Sequence, residues 1–231
     1  MILRCCFLIF FQFYFLFLSY SQGCSDAGFC TVEGVKPTEN DSTNKEFNNQ
    51  VKIGGSIGKA DRSIFAYAFY AEYNRSWNKK FGTDFKLTSL LQQGNGISSY
   101  GLSDFYITAN YELLKNFKII GGVKIPLNTA NKKGNEGYSL PMDYQSSLGT
   151  FDAILGIGYA WKKIQFTFAM QQPLLQNKNE FQASDYPATS SLSSFQSTIG
   201  FKRSGDVLAR ISYPLKLSKK WKFTPSILPI Y

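Results

Sequence analysis

The sequence predicts an all-β protein, an antiparallel transmembrane β-barrel with about ten visible strands. Three observations point there. Apolar and polar residues alternate with a period of two over unusually long runs, the connections divide into short turns and long polar loops, and the aromatic residues gather beside the short turns. Ordinary globular strands average about 5–6 residues, whereas a tilted strand of about 9–11 residues crosses a bilayer.

The run from Ser103 to Pro126 sets the pattern. Phe105, Ile107, Ala109, Tyr111 and Leu113 fall on one face, with Asp104, Tyr106, Thr108, Asn110 and Glu112 on the other. A turn at Leu114–Asn116 follows, and a second run sets Phe117, Ile119, Gly121, Val123 and Ile125 against Lys118, Ile120, Gly122 and Lys124. Two such runs joined by a tight turn make a hairpin.

Before the barrel, residues 1–21 read as a cleaved signal peptide: Arg4, an apolar run from Phe7 to Leu18 broken only by Gln12, then Ser19-Tyr20-Ser21. A retained anchor and lipoprotein processing at Cys24 are the alternatives, and Cys5 and Cys6 would leave with the signal. Residues 22–49 form a polar segment with a local disulfide expected between Cys24 and Cys30, as an oxidising compartment favours. From Thr31 to Asn49 no periodicity is visible, so this stretch is a periplasmic tether or a small plug at the barrel mouth.

Residues 50–231 form the barrel. Strands are expected over Val51–Lys59, Ile64–Asn74, Lys80–Leu91, the hairpin, Thr150–Trp161, Ile164–Gln171, Ser194–Lys202, Val207–Tyr213 and Lys220–Leu228. Short turns are expected at Asn74–Lys79, Leu114–Asn116, Lys162–Lys163 and Arg203–Asp206. Long loops are expected at Gln92–Tyr100, Leu127–Gly149 and Leu174–Leu192. Short periplasmic turns with long extracellular loops are the outer-membrane pattern. The connection after Tyr213 breaks the parity, being short where a long loop is due. Tyr73 and Trp77, Tyr111 and Phe117, and Tyr159 and Trp161 flank the short turns, where an aromatic girdle would meet the lipid interface. Tyr138, Leu140, Met142 and Tyr144 make the second half of the loop after Pro126 apolar, which favours docking against something.

Composition narrows the function. With no histidine, any mechanism using a histidine base or metal ligand is excluded, and the sequence implies no enzyme and no cofactor. Mean hydropathy is slightly negative, which fits strands with one polar face rather than helical spans. The 25 Lys and Arg against 16 Asp and Glu read as scattered through turns, loops and one strand face, which argues against nucleic acid and for attraction to an anionic lipid surface or simple solvation. With aromatic faces toward lipid, the lumen receives Lys80, Asp84, Lys86, Asp104, Glu112, Lys118, Lys124, Asp152 and Arg210. These charges either line a selective pore or pair with one another to fill a narrow lumen. Gly121, Gly122, Gly156 and Gly158 mark strand bending, bulges or a lateral opening.

The stretches GLSDFYITANYELL, GGVKIPLN, LPMDYQSSLGTFDAILGIGYAW and MQQPL resemble a family of outer-membrane β-barrels. These are named for the meta-pathway of phenol degradation and sit within the long-chain fatty acid transporter-like group. The resemblance covers Val51 onward, with a Gly-Leu-x-Asp strand start and a Lys-Ile-Pro strand end. It implies passage of small or hydrophobic organic molecules through the outer membrane of a Gram-negative bacterium, with outer-membrane lipid and the barrel-assembly machinery as partners. Family chains run past the equivalent of Tyr231, so the resemblance also implies a truncated member of a barrel with 12 or more strands. Pro225 and Pro229 each remove a ladder donor near that end. Three function classes follow: a passive uptake barrel, a non-transporting structural or surface-interaction barrel acting through its loops, and a soluble secreted sandwich.

Overall fold

Alternation of β-branched and aromatic residues with polar ones becomes eight long strands in series. They are β1 (Asn49–Lys59), β2 (Phe65–Ser76), β3 (Phe81–Gly94), β4 (Ile97–Leu114), β5 (Phe117–Pro126), β6 (Phe151–Trp161), β7 (Ile164–Leu175) and β8 (Asp206–Ser212). Three two-residue pieces follow: β9 (Leu215–Lys216), β10 (Lys222–Phe223) and β11 (Ser226–Ile227). The computed structural model describes Val32, Val35, Lys36, residues 49–218 and residues 221–231. The expected signal peptide, the Cys24–Cys30 disulfide and most of the 22–49 segment lie outside the described residues.

Each strand pairs antiparallel with the next, giving one nine-stranded sheet ordered β1-β2-β3-β4-β5-β6-β7-β8-β11, curled into a half-barrel. β9 and β10 form a separate ribbon. The all-β, antiparallel, barrel-like architecture is therefore as expected. β1 and β11 stand at the two edges, and eight successive antiparallel steps leave them running in the same direction. Among the described residues, no helix is long and apolar enough to cross a membrane, which has no bearing on strands.

Four expectations need correction. Gln92–Tyr100 is not a long loop, because β3 and β4 run through it to a two-residue turn at Asn95–Gly96. Both turn residues have positive φ, 51° and 75°, the left-handed geometry that Asn-Gly adopts most readily and that matches strand twist. Ser194–Lys202 is not a strand. Ser191–Ser194 is a short 3-10 turn whose serines satisfy their own backbone: Ser193 Oγ donates to the Ser190 carbonyl at 2.8 Å, and Ser194 Oγ to the Ser191 carbonyl at 2.8 Å. Arg203–Asp206 is accordingly the end of one long connection and not a separate turn. Finally, Lys220–Leu228 is broken around Pro225, and the tail lies along β8 through Tyr213 N–H to the Pro225 carbonyl (3.0 Å) and Ala209 N–H to the Pro229 carbonyl (3.1 Å).

Removing the false strand repairs the parity. One rim carries the short links at residues 77–80, 115–116 and 162–163, together with the β8–β11 connection. The other carries the turns at residues 60–64 and 95–96 and both long loops, residues 127–150 and 176–205. Those loops fold on each other. Leu140 and Tyr144 from the first and Phe181, Tyr186, Leu192 and Phe195 from the second bury themselves with Ile64 of the β1–β2 turn. Asn179 Nδ2 ties the two loops by donating to the Ala130 and Leu140 carbonyls at 2.7 and 3.1 Å. This is a lid with its own small core. The expected docking of the loop's apolar half is realised through Leu140 and Tyr144.

Candidate functional site

The inner face of the half-barrel collects the charged residues of alternate strand positions. Lys86, Asp84, Asp104, Lys124, Asp152 and Arg210 are all buried, as the alternation requires once their odd-numbered or even-numbered neighbours turn outward. Glu112 and Lys118 are half-buried and sit opposite each other across β4 and β5. Lys80 departs from expectation. It lies in the turn before β3 and is exposed, so it stands at the rim and not on the inner face.

The centre of the inner face is Asp152 on β6. Its Oδ2 accepts from Lys124 Nζ of β5 at 2.8 Å, from Arg203 Nη1 at 2.7 Å and from Gln171 Nε2 of β7. Lys124 also donates to Thr150 Oγ1 at 2.9 Å, and Arg203 reaches Asp206 with its other terminal nitrogen. The carboxylate side chain is fully buried, so the two cations and the amide are what make its charge tolerable. Arg203 enters from the second long loop and fastens the lid to the barrel wall. A second fastening runs from Ser147 Oγ to Asp104 Oδ1 at 2.6 Å.

A second polar group lies toward the short-turn rim on β2, β3 and β4. Asn74 Nδ2 donates to Glu72 Oε1 at 2.8 Å and to Asp84 Oδ1 at 2.9 Å, and Thr108 Oγ1 donates to Asp84 Oδ2 at 3.3 Å. Lys86 Nζ sits 4.7 Å from the centre of the Tyr70 ring. The amide between two carboxylates gives each a donor without adding charge.

Between these groups lies part of the N-terminal segment. Val32 and Val35 pack with Tyr106, Ile120, Ile154, Ala169 and Leu208 on the inner face. Arg210 Nη1 donates to the Val35 carbonyl at 3.0 Å, Lys118 Nζ donates to the Lys36 carbonyl at 3.3 Å, and Lys36 Nζ pairs with Glu72 Oε2 at 3.6 Å. Val32, Val35 and Lys36 thus lie against β2, β5 and β8 across the interior. Gly158 leaves room for the arrangement: a Cβ there would come within 2.6 Å of Lys118 Cε. That is close packing on a neighbouring strand, which is one reason for a glycine besides bending.

The outer face is the reverse. Phe69, Leu155, Ile157, Tyr159, Phe168, Met170 and Ile211 are all exposed and apolar or aromatic. Trp77, Tyr111, Tyr159 and Trp161 stand at the short-turn rim as expected.

Sequence reasoning found Asp152, Lys124 and Arg210 but missed Arg203, Glu72 and Asn74. Glu72 and Asn74 carried a signal, since they alternate with outward Ala71 and Tyr73 on β2. Arg203 carried none, because no local pattern says where a loop arginine will point. Among the described residues no group of acidic, cysteine or histidine side chains is arranged to hold a metal ion. No family model, no curated protein and no solved structure matches this chain.

Proposed function

We propose that this chain is a membrane-embedded barrel protein of the bacterial outer membrane that passively admits small or hydrophobic organic molecules. One observation carries the membrane reading: a continuous outer face of exposed aromatic and aliphatic side chains backs an inner face of buried charges. Soluble sheets put their apolar face inside, whereas a barrel in lipid puts it outside. The resemblance from Val51 onward to a family of outer-membrane β-barrels supports the same reading.

The interior supports passage that is gated. Two separate pieces are held to its wall by a few polar contacts: Val32, Val35 and Lys36 of the N-terminal segment, and the lid. Flotation with vesicles and heat-dependent gel mobility test the membrane reading; partition into the soluble fraction overturns it. Liposome swelling tests passage. Arg210→Ala with Lys118→Ala is expected to raise swelling by loosening the N-terminal stretch.

A structural or surface-interaction barrel is the second reading, and the lid's own core of Leu140, Tyr144, Phe181 and Phe195 favours it. A protein that floats with vesicles yet stays impermeable in every loosened variant belongs to that class.

A further inference from the structure

The lysines that look scattered along the chain are sorted by the fold. Among the described residues, the connections at the short-turn rim (residues 77–80, 115–116, 162–163, 213–218 and 221–225) contain seven lysines and no aspartate or glutamate. The connections at the opposite rim (residues 60–64, 95–96, 127–150 and 176–205) contain six basic residues against five acidic ones. One rim is therefore strongly positive and the other nearly neutral, although both are made of polar connections. Lys79, Lys80, Lys115, Lys162, Lys163 and Lys216 are exposed. The carboxylates nearest to them along the strands, Glu72, Asp84 and Glu112, lie on the inner face, where Glu72 and Asp84 are occupied with Asn74 and Glu112 sits opposite Lys118.

Tryptophan is sorted in the same direction. All three tryptophans of the chain, Trp77, Trp161 and Trp221, stand at this rim and are 44%, 53% and 73% exposed. Arg75 stacks over Trp77 at 4.0 Å from the ring centre, and Lys162 lies over Trp161 at 5.4 Å. Cation and indole thus share one level, directly next to the apolar outer face. Indole rings prefer the boundary between hydrocarbon and headgroups, and lysine stems lie along apolar surface while the ammonium reaches outward. A nucleic acid would account for the charge but not for exposed indoles adjoining an apolar belt.

We infer that the short-turn rim is a collar for anionic phospholipid: its exposed lysines bind headgroup phosphates of the adjoining leaflet while the three tryptophans seat at the same depth. This rests on the lipid-facing reading of the outer surface and adds a lipid class and a side to it. Electrostatic attraction to an anionic leaflet is additive over cations near the surface and amounts to roughly five-fold in partitioning for each lysine. It decays within a Debye length, so salt weakens it.

The test compares association of the full chain with vesicles of phosphatidylcholine alone and of phosphatidylcholine mixed with phosphatidylglycerol, at low and high salt. Protease protection of the strands is read in parallel. Preference for the anionic vesicles is expected, falling with salt. The preference should disappear when Lys79, Lys80, Lys115, Lys162, Lys163 and Lys216 are changed to Gln, and persist when Lys132, Lys133 and Lys178 of the opposite rim are changed instead. All these side chains are exposed, but the first set includes Lys162, which lies over Trp161, and the second includes Lys132, whose Nζ donates to the Tyr100 carbonyl at 2.9 Å. Protease protection of each variant is therefore compared with the parent before its lipid preference is read. Protected insertion into both vesicle types with no preference overturns the collar and leaves the lipid-facing reading standing. Lysine-dependent binding without protection overturns the lipid-facing reading and the collar that rests on it. Loss of preference in the opposite-rim variant, or equal displacement by a soluble polynucleotide, overturns the collar.

Discussion

Along β6, Asp152, Ile154 and Gly158 face inward and are buried, while Leu155, Ile157 and Tyr159 face outward and are 59%, 46% and 48% exposed. The same comparison holds on β7, where Gln165, Thr167, Ala169 and Gln171 are buried and Phe166, Phe168 and Met170 are not. Two faces one residue apart thus have opposite needs. The inner face answers its own polarity: Asp152 finds Lys124, Arg203 and Gln171, and Asp84 finds Asn74 and Thr108. Among the described residues, nothing covers the aromatic rings of the outer face. A sheet with its charges inside and its hydrophobes outside is the pattern on which the proposed lipid-facing reading rests.

That contrast can be broken at its strongest point first. Asp152→Ala leaves Lys124 and Arg203 without their shared carboxylate in a buried place, and a loss of about 3–5 kcal/mol is expected. Urea unfolding of the refolded protein measures it, and a loss below about 1 kcal/mol would put the pair in the class of exposed ion pairs. The outer face comes next. Ile157→Arg is expected to cost about 2–4 kcal/mol in a bilayer if this position lies near mid-depth. In a soluble sheet the same exposed site tolerates the change within about 0.5 kcal/mol, so this variant decides which solvent the face meets.

The lid gives smaller effects. Tyr144 Oη donates to the Gly94 carbonyl at 2.9 Å and accepts from Asn95 Nδ2 at 3.0 Å. Tyr144→Phe removes both and should cost about 1 kcal/mol, seen as faster proteolysis within residues 127–150 without a matching drop in barrel stability. The smallest effect is one of pH. Burial pushes the Tyr144 and Tyr186 hydroxyls above their ordinary value of 10.0. Folded rings therefore hold their protons longer than unfolded ones. Their contribution to the lid is complete below pH 10 and is lost as the pH rises through the raised values. Tyrosine absorbance should titrate in step with loop proteolysis, ahead of the barrel.

How legible this was depends on the range of the interaction. Strands β1 to β7 and the inward set from Asp84 to Asp152 were readable, because alternation is a local property that side-chain direction obeys residue by residue. The Asn95–Gly96 dipeptide carries the turn signal, but the polar residues around it resemble a loop and mask it. Ser194–Lys202 misled for the opposite reason. Phe195, Phe201 and Ile199 mimic strand spacing, yet Phe195 is spent on the lid core beside Tyr144, at 6.0 Å between ring centres.

What the amino-acid sequence determined by itself is therefore the two-faced strand: which residues share a face, and where most of the tight turns reverse it. Dihedral preference and the period of two settle those within a few residues of chain. What only the tertiary structure decided is which partners meet across the interior and which connections share a rim. Arg203 reaches Asp152 from 51 residues away, and Arg210 reaches the Val35 carbonyl from 175. Such pairings follow from the curl of the whole sheet and the path of its loops, and no local pattern carries them. The basic rim belongs to this second kind: each lysine is an ordinary turn residue, and antiparallel order alone gathers them on one side.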